Sequence, residues 1–349
     1  MRDHVGMRTG LVTGREQFEL REVDEPTPGP GEALVEISLC GICGSDVHAY
    51  AEGWPYAPGI CGHEWVGNIV ATDADVQVVD VGDRVTGGLA PGCGQCPECR
   101  ADHPAYCSTA RSYYIGEKAP ASGGFAPFIA ASADRLVRVP DELTDDDAAV
   151  IEPASVALHA VRRSRLRAGD VACIVGCGPI GLLVAQCARL AGAGTVIAIE
   201  PDAQRRELAL SLGADIAVEP GAPMREAVNE ATGGLRADIA FDCAGIPQTV
   251  QQSVDMVRYG GSVCIVGVTG SDATIRPNRW LFKEVSVDTS LAFTIDEMRA
   301  AAGFIADGRI SVAPLVNGTL TLDDLPQAID DLAARRNTSI KLLVDPTAG

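Results

Sequence analysis

The sequence predicts an α/β protein of two domains, one rich in β-strands and one built on a doubly wound parallel sheet. Its 349 residues suggest roughly two domains of ordinary size. Residues 8 to about 150 contain short β-rich runs between Pro and Gly clusters, and the texture then changes. From Val171 onward, strands alternate with helices, which is typical of a parallel sheet covered by helices on both faces.

The first part of the chain is predicted to form short strands and loops. The β-rich runs are Leu34–Ser38, Val66–Thr72 and Leu136–Val139, separated by clusters such as Pro26–Gly31. Such Pro and Gly clusters interrupt strands and favour turns. Asp141–Ala149 is predicted to open a helical segment, with Thr144 as a cap before three aspartates.

The second part is predicted to alternate strands with helices. The predicted strands are Val171–Val175, Val196–Ile199, Ile239–Asp242, Ser262–Val266 and Val285–Asp288. Helices are predicted after the first strand through about Ala191 and at Gln204–Leu212. The tail is predicted to contain helices at Ile295–Asp307 and near Leu325–Arg335, and a strand at Lys341–Val344.

Charge and hydropathy exclude several classes of protein. The net charge of -19 argues against a nucleic-acid partner, whose phosphates require Lys and Arg. The longest apolar run, Val171–Val184, is interrupted by Gly-Cys-Gly-Pro, so no membrane helix is expected. Because no secretory signal is visible either, we expect a cytoplasmic protein without a membrane partner.

The strongest chemical signal is the cysteine cluster Cys93-x2-Cys96-x2-Cys99-x7-Cys107. Four thiolates on one loop match a tetrahedral structural zinc site with a closed ligand set. The alternatives are unpaired surface thiols, or a labile redox cluster that lacks the usual iron–sulfur spacing. The remaining eight of the 12 cysteines lie mostly in apolar stretches, which fits a reducing compartment rather than disulfides.

A second constellation combines Cys43 with Gly62-His63-Glu64 and Glu152. Cys, His and Glu are all zinc ligands by type, and catalytic sites often take them from separate segments. The alternative is that Gly-His-Glu forms a turn with a solvated acid. A zinc ion with an open position binds an alcohol oxygen and lowers its pKa, which prepares the alcohol for loss of a hydride.

The third signal is Gly176-x-Gly178-x-x-Gly181, directly after the strand Val171–Val175 and at the start of a helix. In this context, the glycines allow a tight turn, close approach of a pyrophosphate, and packing of helix on strand. The helix N-terminus offers unpaired N–H groups to the phosphates. Cys177, inside the motif, is interpreted as a small filler.

The end of the second predicted strand indicates which dinucleotide is bound. Glu200 stands there, and an acid at this point hydrogen-bonds the adenosine ribose and repels a 2′-phosphate. Arg205 and Arg206 follow closely, and a nearby Arg accommodates such a phosphate. We weigh Glu200 more heavily, so the sequence predicts NAD rather than NADP as cofactor.

Taken together, these residues resemble the zinc-dependent medium-chain alcohol dehydrogenase family over nearly the whole chain. The stretch from Glu152 through Pro-Ala-Ser-Val-Ala-Leu to His159, and Gly-Ile-Cys43-Gly-Ser-Asp-Val-His48, look like the polyol branch. The stretch Ile199-Glu200-Pro201-Asp-Ala-Gln-Arg205 and the segment Ser290-Leu-Ala-Phe293 look most like butanediol dehydrogenases.

The resemblance implies roles for individual residues. Cys43, His63 and Glu64 would bind a catalytic zinc, and Glu152 would complete the sphere directly or through water. Asp46 would orient His63. Ser45 would take the proton of the alcohol and pass it through the cofactor ribose to His48 and solvent. The cofactor-binding positions would be Gly176, Gly178, Pro179, Ile180, Gly181, Glu200, Arg205, Val266, Gly267, Val268, Leu291, Ala292 and Phe293.

The resemblance also implies a fold, a cofactor set and an assembly. A GroES-like catalytic domain would span residues 1–154 and 294–349, and a Rossmann domain would span residues 155–293. Each chain would bind NAD and two zinc ions, one catalytic and one structural. The substrate would be a small alcohol or ketone, and the protein would form a homo-oligomer, a dimer or a tetramer.

Two departures from the polyol branch bear on the substrate. Sorbitol dehydrogenases carry a Tyr directly after the relay His and an Arg late in the chain, where this sequence has Ala49 and Ala292. Both changes remove polar groups that contact the polyol, which argues against sorbitol. The segment between His48 and His63 is short, and Trp54, Tyr56 and Trp280 would either line an apolar entrance or pack in the core.

Two other classes of function compete with a dehydrogenase. One is a non-redox enzyme on the same fold, such as a lyase or cyclase. The other is a binding protein that has lost its chemistry. The second is opposed by the presence of Cys43, Ser45, His48, His63 and Glu64, because a silent protein does not require a full set of ligands and relay residues.

Overall fold

The computed structural model describes residues 6–88, 93–101, 103, 106–109 and 122–348. The chain divides into two compact units. The first unit comprises the chain up to Glu152, Phe293–Ala306, and the chain from Leu315 onward. The second comprises Pro153–Ala292 and Asp307–Pro314. Among the described residues, no helix has the length and apolar character needed to cross a membrane.

The described residues of the first unit form nine strands in two sheets. Strands β1 (Gly6–Gly14) and β2 (Gln17–Asp24) pair with each other in antiparallel orientation. The larger sheet contains β3 (Glu32–Gly41), β4 (Glu64–Thr72), β5 (Arg84–Gly87), β6 (Phe128–Ser132), β7 (Leu136–Arg138), β14 (Val316–Thr321) and β15 (Lys341–Asp345). Its order is β14-β15-β3-β4-β5-β7, and β6 pairs with β3. All its pairs are antiparallel except β14 with β15.

Short helices connect these strands. They are α1 (Gly44–Glu52), α2 (Pro97–Arg100), α3 (Asp145–Ala148), α10 (Ile295–Ala306) and α11 (Leu325–Ala333). The helix α4 (Ile151–Arg163) begins in this unit and continues in the second. The core of the first unit is apolar, and its largest fully buried side chains include Ile37, Ile69 and Phe125.

The second unit is a six-stranded parallel sheet. Its strands are β8 (Val171–Val175), β9 (Thr195–Ile199), β10 (Ile216–Val218), β11 (Ala237–Asp242), β12 (Val257–Ile265) and β13 (Ser286–Thr289). Their order is β10-β9-β8-β11-β12-β13. Its helices are α5 (Pro179–Leu190), α6 (Ala203–Ser211), α7 (Ala222–Ala231), α8 (Pro247–Met256) and α9 (Pro277–Lys283). The strand order reverses between β8 and β11. Sheets with this topology bind dinucleotides in a crevice at the carboxyl ends of the strands, at the point of reversal.

The sequence-based boundaries differ from the structure at several places. Residues 307–314 were assigned to the catalytic domain, whereas they belong to the second unit. The side chain of Gln186 explains this difference: its amide nitrogen donates to the Ser311 carbonyl at 3.0 Å, and its oxygen accepts from the Ser311 amide at 2.7 Å. The predicted helix at 141–149 is shorter, because Thr144 caps α3 by accepting from the Asp147 amide at 3.1 Å.

Candidate active site

The pairing of two strands brings together residues that lie far apart in the sequence. Strand β3 ends at Gly41, and β4 starts at Glu64, and these two residues face each other in the antiparallel register. Cys43 caps the N-terminus of α1, directly after β3. The sulfur of Cys43, a ring nitrogen of His63 and a carboxylate oxygen of Glu64 lie within 4.8 Å of one another. Three of the four predicted catalytic ligands therefore converge.

Two glycines make room for this group. Gly62 has a φ of 73°, and a Cβ there would lie 2.6 Å from the Phe125 backbone nitrogen. The backbone at Gly62 therefore requires glycine. A Cβ on Gly41 would meet the Glu64 carboxylate, so a side chain at this position would displace Glu64 from its place in the group.

The ring of His63 is held by a backbone carbonyl. Its Nδ1 lies 2.9 Å from the carbonyl oxygen of Ile60, so Nδ1 carries the hydrogen and Nε2 keeps a lone pair for a metal. Asp46, which the resemblance implied would orient His63, acts on this ring through its charge, and the hydrogen bond at Nδ1 goes to the carbonyl of Ile60. Burial lowers the pKa of His63, but Cys43, Asp46 and Glu152 raise it by more, to well above its ordinary value.

Asp46 instead organises the start of α1. It is completely buried, and its Oδ2 accepts the Cys43 amide at 2.9 Å. Its Oδ1 accepts the hydroxyl of Tyr56 at 2.9 Å and the Gly62 amide at 3.5 Å. A carboxylate in the first turn of a helix is favoured by the unpaired N–H groups there, although burial raises its pKa. Asp46 thus ties the Cys43 loop to the His63 loop.

A buried lysine holds the third donor. Lys341, at the start of β15, forms an ion pair with Glu64 and donates to the carbonyl of Ile42 at 2.8 Å. Lys341 is 2% exposed and Glu64 is 1% exposed. Sequence reasoning missed Lys341, although a signal was present: it is one of three lysines in the chain and it opens an apolar strand.

Glu152 belongs to the same electrostatic environment. Burial raises its pKa to about 7, with Glu64 and Asp46 acting in the same direction and His63 and Lys341 against it. Within the described part of the chain, the group of donors within 4.8 Å comprises Cys43, His63 and Glu64, and Glu152 lies outside it. The site therefore contains four acidic groups and two basic ones. The acidic groups are the Cys43 thiol and the carboxyls of Asp46, Glu64 and Glu152, and the basic groups are His63 and Lys341. This surplus of acidic donors of zinc-ligand type fits a divalent cation.

The predicted proton relay splits into two hydrogen-bonded groups. The hydroxyl of Ser45 lies 3.0 Å from that of Tyr56. Burial, together with Asp46, raises the pKa of Tyr56 well above its usual value, so this phenol keeps its hydrogen. Sequence reasoning left Tyr56 as either entrance or core, and its hydroxyl makes it part of the polar site.

His48 lies at the surface end of α1. Its side chain is 37% exposed, and its Nδ1 lies 3.0 Å from a carboxylate oxygen of Glu52. The indole of Trp54 stacks on its ring, with centroids 5.5 Å apart and planes 7° apart. The Trp54 nitrogen donates to the other oxygen of Glu52 at 2.9 Å. His48 is therefore oriented and in contact with solvent.

The four-cysteine cluster is compact. The sulfurs of Cys93, Cys96, Cys99 and Cys107 lie within 4.8 Å of one another. The amide of Cys96 donates to the Cys93 sulfur at 3.3 Å, and the amide of Cys93 donates to that of Cys107 at 3.3 Å. The Thr109 hydroxyl and backbone amides lower the pKa of Cys93 to about 6, whereas burial and the adjacent thiols raise that of Cys99 to about 12. Four soft donors at this separation fit a tetrahedral zinc ion.

The glycine motif forms the turn between β8 and α5. Gly176 has a φ of 87°, and a Cβ on Gly181 would lie 1.8 Å from the Gly176 carbonyl oxygen. Gly178 caps α5, Pro179 opens it, and Ile180 follows. The space left by these glycines at the N-terminus of a 12-residue helix fits a pyrophosphate.

Glu200 is bound to this turn. It is 6% exposed, and its Oε2 accepts the Cys177 amide at 2.7 Å while its Oε1 accepts the Asp202 amide at 3.0 Å. The guanidinium of Arg206 donates to the carbonyls of Glu200 and Pro201, at 2.8 and 2.7 Å, and to Glu219. The acid therefore faces the glycine turn, and Arg206 is engaged with backbone carbonyls.

The remaining predicted cofactor positions differ in their surroundings. The amides of Val266 and Gly267 donate to the carbonyl of Asp242, at 2.9 and 2.8 Å. Val268 and Leu291 expose their side chains. Ala292 has a φ of 60°, which is uncommon for a residue with a Cβ.

Two further positions face the core of the first unit. The side chain of Phe293 is buried there, and it would lie 3.1 Å from a Cβ added to Gly88. Ala49, the other position at which the sequence departs from the polyol branch, is completely buried.

Comparison with known proteins identifies the family. Residues 29–141 match the alcohol dehydrogenase GroES-like domain, and residues 179–307 match the zinc-binding dehydrogenase family. The (R,R)-butanediol dehydrogenase of Bacillus subtilis is 32% identical, over 97% of this chain and 100% of that protein. A sorbitol dehydrogenase of Halalkalibacterium halodurans is 31% identical, over 95% of this chain and 97% of its own length.

Solved structures agree with the fold. A Sinorhizobium meliloti protein described as a zinc-binding dehydrogenase, solved with NADP bound, superposes with a TM-score of 0.87 at 33% identity. The match covers 98% of this chain and 100% of that one. The comparisons give no support to a lyase, a cyclase or a silent binding protein, and they support an oxidoreductase that acts on alcohols with NAD(P). This chain belongs to the zinc-dependent medium-chain alcohol dehydrogenase family, in the branch related to butanediol and sorbitol dehydrogenases.

Proposed function

We propose that this enzyme transfers a hydride between NAD and a secondary alcohol or its ketone, with a diol-like, polyol-like or bulkier substrate. The observation that carries the proposal is the convergence of Cys43, His63 and Glu64, whose donor atoms lie within 4.8 Å of one another. Their mixed donor types are those of a catalytic zinc site rather than a closed structural one.

We propose two zinc sites per chain, and the support for them is two separate donor sets. Cys43, His63, Glu64 and Glu152 would hold the catalytic ion, and Cys93, Cys96, Cys99 and Cys107 would hold the structural one. When bound, zinc supplies a Lewis acid that favours loss of the hydroxyl proton, and the nicotinamide takes up the hydride. The protein residues supply orientation, charge balance and a route for the proton.

The proton route that we propose begins at Ser45 and ends at His48. Ser45 stands two residues after Cys43, within α1, and its hydroxyl makes a side-chain hydrogen bond rather than a cap. His48 is on the same helix and its side chain is 37% exposed. A partly exposed imidazole that is held by a carboxylate suits the last step of a relay to solvent.

A preference for NAD rests on Glu200. Its carboxylate is buried against the glycine turn, where a negative charge opposes a 2′-phosphate. Arg206, which would favour that phosphate, is occupied with the carbonyls of Glu200 and Pro201 and with Glu219. The NADP bound to the Sinorhizobium meliloti relative makes a direct test of both cofactors necessary.

The assembly and location are further parts of the proposal. Strand β13 lies at the end of the parallel sheet, and α9, which precedes it in the chain, exposes Leu281 and Phe282, at 68% and 72%. An unpaired sheet edge and exposed apolar side chains on the preceding helix support a dimer, or a tetramer built from dimers. The 12 free cysteines support a reducing, cytoplasmic environment.

A substrate panel tests the proposed function. The purified enzyme is mixed with secondary alcohols, vicinal diols and sorbitol, with NAD or NADP, and NADH or NADPH formation is followed by absorbance. We expect turnover of secondary alcohols or diols with NAD, and little turnover of sorbitol. Absence of turnover with every alcohol and every matching ketone would reject the proposal, and a preference for NADP would reject the role of Glu200.

A further inference from the structure

The hydroxyl of Tyr56 lies between two residues of α1. It is 3.0 Å from the hydroxyl of Ser45 and 2.9 Å from Oδ1 of Asp46. Tyr56 stands in the short segment between His48 and His63, just before the turn at Pro58–Ile60. Its ring packs against the core of the first unit, so that the hydroxyl is held in place from one side.

The direction of these hydrogen bonds follows from counting hydrogens. The carboxylate of Asp46 accepts the Cys43 amide on one oxygen and the Tyr56 hydroxyl on the other. A phenol has a single hydrogen, and Tyr56 uses it on Asp46. The contact between Ser45 and Tyr56 therefore requires the Ser45 hydroxyl to donate, and among the described residues no donor occupies the lone pairs of its oxygen.

We propose that Tyr56 is a positioning residue that fixes Ser45 as a hydrogen-bond acceptor toward the alcohol substrate. The hydroxyl of an incoming alcohol then donates to an oxygen whose own hydrogen already points away from it. This inference rests on the proposed function, because it takes Ser45 to be the group that receives the alcohol. It concerns the orientation in which the alcohol is received; to pass the proton on toward the cofactor and His48, the Ser45 hydroxyl then has to turn away from Tyr56.

The variant Tyr56→Phe tests the inference, because it removes the hydroxyl and keeps the ring. Without its acceptor, the Ser45 hydroxyl is free to rotate. We expect kcat/KM for alcohols to fall, and the Kd of trifluoroethanol in the presence of NAD, measured by calorimetry, to rise, both by roughly 5- to 10-fold. Zinc content should stay close to that of the unmodified enzyme, whereas the thermal midpoint should fall by a few degrees, because the buried Asp46 loses one of its three donors.

The matched control is Tyr50→Phe. Tyr50 is also on α1, and its hydroxyl donates to a carboxylate oxygen of Asp330 at 2.9 Å. This variant loses the same kind of hydrogen bond at a position away from Ser45. It should leave the Kd of trifluoroethanol and kcat/KM unchanged. An equal loss in both variants would overturn the inference, because the effect would then be one of general stability.

A double variant separates the inference from the proposed function. In the Ser45→Ala background, Tyr56→Phe should have no further effect on kcat/KM or on trifluoroethanol binding. A second, independent loss would overturn the inference, as would a normal Tyr56→Phe enzyme beside an inactive Ser45→Ala enzyme. If Ser45→Ala keeps its kcat at every pH but binds trifluoroethanol weakly, the proposed relay fails and the positioning role of Tyr56 stands.

Discussion

Two buried carboxylates, one in each unit, are stabilised in different ways. Glu64 of the first unit is 1% exposed and Glu200 of the second is 6% exposed. Glu64 is paired with the side chain of Lys341, which is 277 residues away in the sequence. Glu200 accepts two backbone amides, from Cys177 of the glycine turn and from Asp202 two residues on.

This difference explains how each site responds to change. A carboxylate held by backbone amides keeps its partners whatever side chains surround it. A carboxylate held by a buried lysine depends on that one residue, since a buried charge that loses its partner is costly. The catalytic donor set should therefore be sensitive to a remote substitution, whereas the cofactor turn should not.

The largest expected effect is that of Lys341→Met. In enzyme from which the catalytic zinc has been removed by chelator, loss of the ammonium group leaves Glu64 buried and unpaired, so the free energy of unfolding should fall by about 3–5 kcal/mol. Denaturant titration of the purified variant measures this loss. The second substitution Glu64→Gln in the same chain should restore part of it, because it removes the uncompensated charge.

Lys283→Met is the matched control for this comparison. Lys283 is 5% exposed and donates to the carbonyls of Val254, Asp255 and Val257 at the end of α8. No carboxylate is stranded when it is replaced, so the loss should be smaller, about 1–3 kcal/mol. A loss equal to that of Lys341→Met would contradict the account of Glu64.

A second contrast between the two sites is the proposed proton route to solvent, which belongs to the catalytic site of the first unit. If His48 ends the proton relay, His48→Ala should lower kcat roughly 10- to 100-fold at neutral pH, as general-base assistance is lost. The loss should shrink at high pH, where hydroxide replaces the missing base. Steady-state kinetics across the pH range test this, with His103→Ala in the cysteine loop as the control. An equal loss at every pH would show that His48 acts only through packing.

The smallest expected effect concerns the proposed cofactor site of the second unit. Glu200→Ala removes the charge that opposes a 2′-phosphate, so the ratio of kcat/KM for NAD to that for NADP should fall by roughly 10-fold. The control is Glu219→Ala, which removes the acidic partner of Arg206 and keeps Glu200. A larger change in the control than in Glu200→Ala would mean that Arg206 governs cofactor choice.

Local patterns predicted much of the fold. Strand β8 has the predicted bounds, because an apolar run between turn residues is a clear signal. Strands β10 and β14 were not predicted. All three residues of β10 are only partly buried, and three of the six residues of β14 are exposed, so neither produces an apolar run. Residues 307–314 fall in the second unit, where Ser311 hydrogen-bonds the distant Gln186, a contact that no local pattern reveals.

The same distinction, between local sequence patterns and contacts set by tertiary packing, applies to the candidate sites. The cysteine cluster and the glycine turn are contiguous, so spacing alone indicated them. The set of Cys43, His63 and Glu64 came from residue type and family resemblance, and strand register brings it together. Spacing could not reveal Lys341 or the role of the Tyr56 hydroxyl, because their partners are set by tertiary packing.

The central claim is that two different donor sets each hold one zinc ion. Metal analysis of the purified chain tests it most directly, before and after a short exposure to chelator. We predict two zinc ions per chain, of which the chelator first removes one, together with activity, because the catalytic set keeps an open position. Cys43→Ser should lower the content to one and abolish activity, while Cys96→Ser should lower it to one and reduce stability. A content of one zinc or none in the unmodified chain, or simultaneous loss of both ions, would contradict the account.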